Sequence, residues 1–281
     1  MTEATLHEHL ADARRALVDA GFSAQDAAID AEVLARYVLG WDRATLLTRR
    51  GERASAEFFA EFDAALRRRL AREPVAYITG HREFWGLDFE VTRDVLIPRP
   101  ETELIVEAAL EIVERSRPAR LLDVGTGSGC LAVSLATELP RARVVATDIA
   151  PAALAVAARN ARRHDVAARI HFLRAHLLEP FREGFDMIVS NPPYVPSGAE
   201  ISVDVAAHEP SAALYAGEDG LDALRALIGG AAAHLLEDGA LVVEFGFGQA
   251  ESVSALARAA GWRVDVRRDL QGIPRVAVMR R

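Results

Sequence analysis

The sequence predicts an α/β protein: a doubly wound, mostly parallel seven-stranded sheet with an antiparallel last strand, behind a small N-terminal helical domain and a β-hairpin linker. Three observations predict it. From residue 119 onward, runs rich in Val, Ile and Leu alternate with helical patterns, as in a parallel sheet covered on both faces. The last two runs, "WRVDVRRD" (262–269) and "RVAVMRR" (275–281), are joined only by "LQGIP". Parallel neighbours need a crossover of a dozen or more residues, so the last strand must reverse. Residues 1–72, by contrast, carry apolar positions at helical spacing.

In the helical domain, Leu6, Leu10, Ala13 and Leu17 recur every three or four residues, and Gly21 ends that segment. Ser23 followed by Asp26 resembles a capping box for the helix that Gly40 closes. A third helix is expected over 55–72, with Phe58, Phe59, Phe62, Leu66 and Leu70 on its inner side. "LRRRLAR" (66–72), the densest basic stretch, reads as a solvated helix face. His7 and His9 are two apart and point to different helix faces, which suits solvated side chains better than a metal pair.

Glu73-Pro74 changes the punctuation. Residues 73–98 are rich in aromatic and β-branched residues, with Gly80 and Gly86, and predict the hairpin linker. The remainder, 99–281, is the sheet domain. Pro100 starts a helix with Glu101 and Glu103 in its first turn. Strands follow at "RLLDVG", "RVVATDI", "RIHFLRA", "FDMIVSN" and "ALVVEFG" before the final pair. The intervening helices fall at 128–138, 151–163, near 219–236 and at 248–260.

Composition narrows the function classes. Formal charge is 33 − 41 = −8, with a pI near 5.6. A protein gripping many phosphates usually carries a basic footprint, so direct nucleic-acid binding is not expected. No apolar run approaches the roughly 18 residues of a membrane span. The N-terminus has no apolar signal-peptide core. One cysteine, Cys130, allows no internal disulfide. These features suit a cytoplasmic protein.

"LLDVGTGSGCLA" places Gly125, Gly127 and Gly129 at alternate positions between strand and helix. Glycine there permits a sharp turn and close approach of a ligand to the backbone. Asp148 ends the next strand, where a carboxylate can hold two ribose hydroxyls. Together they point to a nucleoside-containing cofactor. Gly127-x-Gly129-x-x-Ala132 also matches the dinucleotide fingerprint, which leaves a nicotinamide enzyme open at this point. A tight turn with no ligand is the bland alternative. Cys130 packs at the helix start and is given no catalytic role.

The fourth strand of the sheet domain ends at Asn191-Pro192-Pro193-Tyr194. Ligands of open α/β sheets bind outside the carboxyl ends of strands, so this corner should face the crevice of the glycine loop. Each residue before a proline is held towards extended conformations, which stiffens the corner. The Asn191 side-chain oxygen and the Pro192 carbonyl can accept both hydrogens of one –NH2 group. Tyr194 can lay its ring against a flat substrate. Taken alone, the tetrapeptide equally suits a turn that prolines terminate.

These residues carry a resemblance. The glycine loop, the strand-end acid and Asn-Pro-Pro-Tyr resemble S-adenosyl-L-methionine-dependent methyltransferases that modify planar –NH2 groups. Within them the chain is similar to the HemK/PrmC family, which methylates the glutamine of the Gly-Gly-Gln loop of peptide-chain release factors. The matching stretches are "PVAYITGHREFWGLDFEVTRDVLIPRPETE" (74–103), "LLDVGTGSGCLAVSLA", "NPPYVP", "HEPSAALYAGEDGLDALR" (208–225), "EFGFGQ" (244–249) and "DLQGIPRV" (269–276). They span nearly the whole chain.

The resemblance implies an AdoMet-type methyltransferase sheet and S-adenosyl-L-methionine as cofactor. Gly125, Thr126, Gly127, Ser128 and Gly129 would line its methionine and ribose, and Asp148 would bind the ribose hydroxyls. Asn191 would touch cofactor and substrate, and Asn191, Pro192, Pro193 and Tyr194 would hold the glutamine amide. Many members place an acid and then an apolar or aromatic residue beside the adenine; here the pair is Ala175-His176. His176 either stacks on the adenine or is a partly exposed loop histidine. The helical domain would recognise the release factor, and the protein would be a monomer meeting its partner transiently. Transfer would be direct and in line, with no general base assigned. An adenine-N6 nucleic-acid methyltransferase could use the same corner. Against it stand the charge, the family-like helical domain and the lack of an evident target-recognition insert. A nicotinamide dehydrogenase leaves residues 191–194 unexplained, and a non-enzymatic adaptor leaves the intact glycine loop unexplained.

Overall fold

A computed structural model describes residues 5–179, 181–182 and 184–281. The first four residues of the predicted helical domain, with Pro180 and Glu183, lie outside the described residues. The chain forms two units: Met1–Gly80 with Ser202–His208, and His81–Ile201 with Glu209–Arg281.

The first unit is helical: α1 (Leu6–Asp19), α2 (Ala24–Leu39), α3 (Arg43–Arg49), α4 (Ala56–Leu70) and α5 (Val75–Thr79). Its helix starts are written in the sequence. Thr5, Ser23, Asp42 and Ser55 each accept a backbone N–H of the first turn with their side chains. Gly40 ends α2 in the left-handed region. Leu6, Leu10, Ala13 and Leu17 are buried as their spacing predicts, against Leu34, Phe58 and Phe62.

Three expectations for this region change. The first half of the expected hairpin, Val75–Thr79, is a helical turn between Pro74 and left-handed Gly80 that buries Tyr77 and Ile78. His9 is not a solvated side chain. Its Nε2 lies 2.9 Å from Asp63, and its ring packs edge-on against Phe59 and Phe62. The basic stretch is not wholly a solvated face either. Arg67 and Arg68 are exposed, but Arg69 is buried. Its guanidinium meets Asp30 and Asp204 at 2.6 Å each and lies 4.0 Å from the centre of the Phe22 ring. Asp204 belongs to a short helix, α9 (Val203–His208), which thereby joins this unit.

The second unit opens with a hairpin of β1 (His81–Phe84) and β2 (Leu87–Glu90). Its two turn residues, Trp85 and Gly86, both have positive φ, as a turn matching strand twist requires. Then come α6 (Glu103–Ile112), β3 (Arg120–Val124), α7 (Cys130–Glu138), β4 (Arg143–Asp148), α8 (Pro151–Arg163), β5 (Ile170–Arg174) and β6 (Phe185–Ser190). After α9 the unit resumes with α10 (Asp222–Gly230), β7 (Leu235–Glu244), α11 (Ala250–Ala259), β8 (Arg263–Arg268) and β9 (Pro274–Arg280). The seven strands from β3 on form one sheet in the order β5-β4-β3-β6-β7-β9-β8. Neighbours are parallel except β9, which runs antiparallel to both β7 and β8. This is the predicted doubly wound sheet with its reversed end.

Alternate strand residues feed two cores. Leu121, Met187, Val189 and Val242 face one, and Leu122, Ile188, Leu241 and Val243 the other. Registry sets up the site: Val124 pairs with Thr147 on one side and Ser190 on the other, and Ser190 pairs with Val243. The carboxyl ends of β4, β3, β6 and β7 are therefore level. The residues that follow them emerge along one edge. No helix among the described residues is long and apolar enough to cross a membrane.

Candidate active site

A cavity of about 580 Å³ opens at that edge. Gly125, Thr126, Gly127 and Ser128 line it, with Asp148, His176, Asn191, Pro192 and Pro193. Of the residues singled out from sequence, Gly129 and Tyr194 are not among its lining.

The glycines divide by task. Gly125 and Gly127 have positive φ, and a Cβ on either would meet no atom within 4 Å. Their backbone faces open space that a ligand can enter. Gly129 also has positive φ, but its Cβ would lie 3.0 Å from that of Ala157. It is needed for close packing of the turn on α8. The loop is pinned from beneath by Asp123. One carboxylate oxygen accepts the Thr126 hydroxyl at 2.6 Å and the Ala132 N–H at 3.1 Å. Burial pushes this carboxyl up to about 7, with Asp148 adding in the same direction. Cys130 also lines the cavity, and burial pushes its thiol up to about 12. It is therefore a poor nucleophile.

Asn160 ties the loop to the hairpin. Its Nδ2 donates to the Ser128 and Glu90 carbonyls at 2.8 and 2.9 Å, and its Oδ1 accepts the Glu90 N–H at 2.8 Å. The side chain is fully buried. Asn160→Ala is expected to cost about 2–4 kcal/mol, because it removes the side-chain partner of three backbone groups, one buried and two partly buried. Urea unfolding would measure the loss. A change under about 0.5 kcal/mol, the ordinary size of a surface substitution, would show that the tie contributes nothing.

Asp148 accepts the Gly127 N–H and the Ala150 N–H at 2.9 Å each, one on each oxygen. A carboxylate has about four acceptor positions, so each oxygen retains capacity for a hydroxyl. Beyond it, exposed His176 shares the cavity wall with Ala175, Leu177 and the half-exposed Ile149.

The Asn-Pro-Pro corner forms the opposite wall. Asn191 Nδ2 donates to Thr102 Oγ1 at 3.0 Å, and the Thr102 hydroxyl donates to Glu244 Oε2 at 2.6 Å. The Tyr194 phenol donates to the other oxygen, Glu244 Oε1, at 3.1 Å. The ring of Tyr194 thus packs beside β7 and Gly246. Glu244 is buried, and desolvation pushes it up to about 7 despite the two hydroxyl donors. Burial, then Glu244 itself, raises the Tyr194 phenol well above its ordinary value. Gln249 completes the brace. Its Nε2 donates to the Tyr194 carbonyl at 3.0 Å, and its Oε1 accepts the Gly246 N–H at 2.8 Å. Thr102 and Glu244 were missed as site residues. The signal for Glu244 was present: like Asp148, it is an acid at the carboxyl end of a strand, here directly after the apolar run Ala240–Val243.

The seven-stranded sheet with its reversed end is a methyltransferase fold. The sequence profile described as the methyltransferase small domain matches residues 102–210, and that of the PrmC N-terminal domain matches 8–80. A solved methyltransferase from Pyrococcus furiosus shares the fold at TM-score 0.54 and 17% identity, covering 78% of this chain and 98% of that one. Two curated relatives are named release factor glutamine methyltransferase. That from Moorella thermoacetica is 45% identical over 92% of this chain and 91% of its own length. That from Cereibacter sphaeroides is 45% identical over 96% and 98%. The chain belongs to the release factor glutamine methyltransferase family.

Proposed function

We propose that the chain transfers a methyl group from S-adenosyl-L-methionine to the side-chain amide nitrogen of the glutamine in the Gly-Gly-Gln loop of peptide-chain release factors, and so modulates translation termination. One observation carries the reading. In a chain alignable almost end to end with release factor glutamine methyltransferases, one cavity is walled by a glycine cradle, a strand-end carboxylate and a rigid Asn-Pro-Pro edge.

The residues fit the cofactor. Gly125 and Gly127 leave room where any side chain would intrude. Asp148 offers acceptors for a ribose diol. Ile149, Leu177 and His176 offer apolar and flat surface for a base. When bound, the cofactor supplies a methyl group that is already activated.

The protein must align a poor nucleophile, an amide nitrogen whose lone pair is delocalised. Alignment alone can supply about 7–11 kcal/mol. Asn191 Oδ1 and the Pro192 carbonyl accept the two N–H bonds of the amide. The nitrogen grows more acidic as its lone pair is used, so both acceptors bind the transition state better than the ground state. Tyr194 contributes by bracing the corner through Glu244. The helical domain (1–72) recognises the release factor, residues 73–98 connect it to the catalytic domain (99–281), and a cytoplasmic monomer meets its partner transiently.

The test is transfer of label from S-adenosyl-L-methionine to a purified release factor, to its Gln→Ala loop variant, and to DNA. Label is expected on the release factor alone. Label on DNA alone would replace this reading with adenine-N6 methylation, and equal label on the Gln→Ala variant would refute the target residue.

A further inference from the structure

Resting on that reading, we propose that Glu244 and Thr102 are positioning residues: one buried carboxylate, acting through Thr102, turns the Asn191 amide so that its oxygen and not its –NH2 is offered to the substrate. The argument is one of hydrogen count. A threonine hydroxyl has a single hydrogen. Thr102 gives it to Glu244 Oε2 at 2.6 Å. Its oxygen can then only accept, and the group it accepts from is Asn191 Nδ2 at 3.0 Å. That commitment leaves Oδ1 as the free branch of the amide, on a residue that lines the cavity.

Only a terminal group with no hydrogen to give, which Glu244 is in its ionised form, fixes the chain in this direction. An amide in place of Glu244 could donate to Thr102. The threonine hydrogen would then turn onto Asn191, and the amide would turn its –NH2 outward. A substrate –NH2 would meet it donor to donor. Thr102 and Glu244 are each 1% exposed, so water does not compete for these bonds. The second carboxylate oxygen accepts the Tyr194 phenol. The same group therefore holds both ends of the Asn-Pro-Pro-Tyr corner, from positions 142 and 50 residues away in the chain from Thr102 and Tyr194.

The chain contains just two asparagines, Asn160 and Asn191. Asparagine-selective ¹⁵N labelling therefore gives two side-chain amides, and Asn160 serves as the control. Nuclear Overhauser contacts from Asn191 Nδ2 protons to the Thr102 methyl are expected in the native chain and lost in Glu244→Gln, with the Asn160 signals unmoved. In parallel, Glu244→Gln and Thr102→Val are expected to lower kcat by about 10- to 100-fold, the scale of one misdirected active-site hydrogen bond, with the cofactor KM changed less than about threefold. Thr102→Ser, which keeps the hydroxyl, should retain kcat within about threefold. Persistence of the Asn191–Thr102 contacts in Glu244→Gln, or native kcat in Thr102→Val, would overturn the proposal. If the native chain failed to methylate the release factor, the functional reading would fall, and the amide contacts would still decide the orientation of Asn191.

Discussion

Asn191→Ala is expected to lower turnover on a release factor by about 10²–10³-fold, the usual cost of removing one donor or acceptor aimed at developing charge. The substitution removes the Asn191 side-chain acceptor and leaves the two prolines that follow it in place. Asn191 is only partly buried. Its loss frees Thr102, whose hydroxyl remains satisfied by Glu244. The melting temperature should therefore move little while kcat collapses. The KM for the release factor should also hold, because the lost interaction strengthens chiefly in the transition state. Asn191→Asp is a sharper companion. It keeps an acceptor, but it cannot donate to Thr102, and it sets a second carboxylate close to Glu244. It is expected to be no better than alanine. Near-native kcat in Asn191→Ala would remove the corner from the mechanism.

Legibility in the sequence followed the range of the interactions. The strands of the sheet were readable because a strand buried on both faces is a continuous Val/Ile/Leu run, such as Met187–Val189. The reversed end was readable because five residues cannot cross over a sheet. Short helices such as α3, α5 and α9 were not, because fewer than two or three turns give no usable period. Arg69 looked solvated because its partners Asp30 and Asp204 lie 39 and 135 residues away. Within the site, the glycines, Asp148 and Asn191 announce themselves as local motifs. The distinction between Gly127 and Gly129 required the position of Ala157 on another helix. The Asn191–Thr102–Glu244 chain is carried by contacts 89 and 142 residues apart, which no local pattern encodes.

The two buried carboxylates also make a prediction about stability, with a sign opposite to that of most carboxylates. Asp123 and Glu244 are both raised to about 7, from 3.8 and 4.5, chiefly by burial. From pH 3.8 for Asp123 and 4.5 for Glu244, up to about 7, the unfolded chain has released protons that the native chain still holds. Stability must therefore fall as pH rises through that window, and the loss is complete above the folded value. At about 1.4 kcal/mol per unit, each group costs on the order of 3–5 kcal/mol at pH 8. Asp123→Asn and Glu244→Gln keep the size of the side chain and remove the charge. Each variant is expected to unfold at higher urea than the native chain at pH 8, with the advantage nearly gone by about pH 4. Equal native and variant midpoints at both pH values would show that neither carboxyl is strained by burial. A gain in stability at pH 8 joined to a loss of turnover in Glu244→Gln would locate the reason such a group is kept. An ionised carboxylate is costly to bury, yet it is the only terminus of the hydrogen-bond chain that compels Asn191 to present its oxygen.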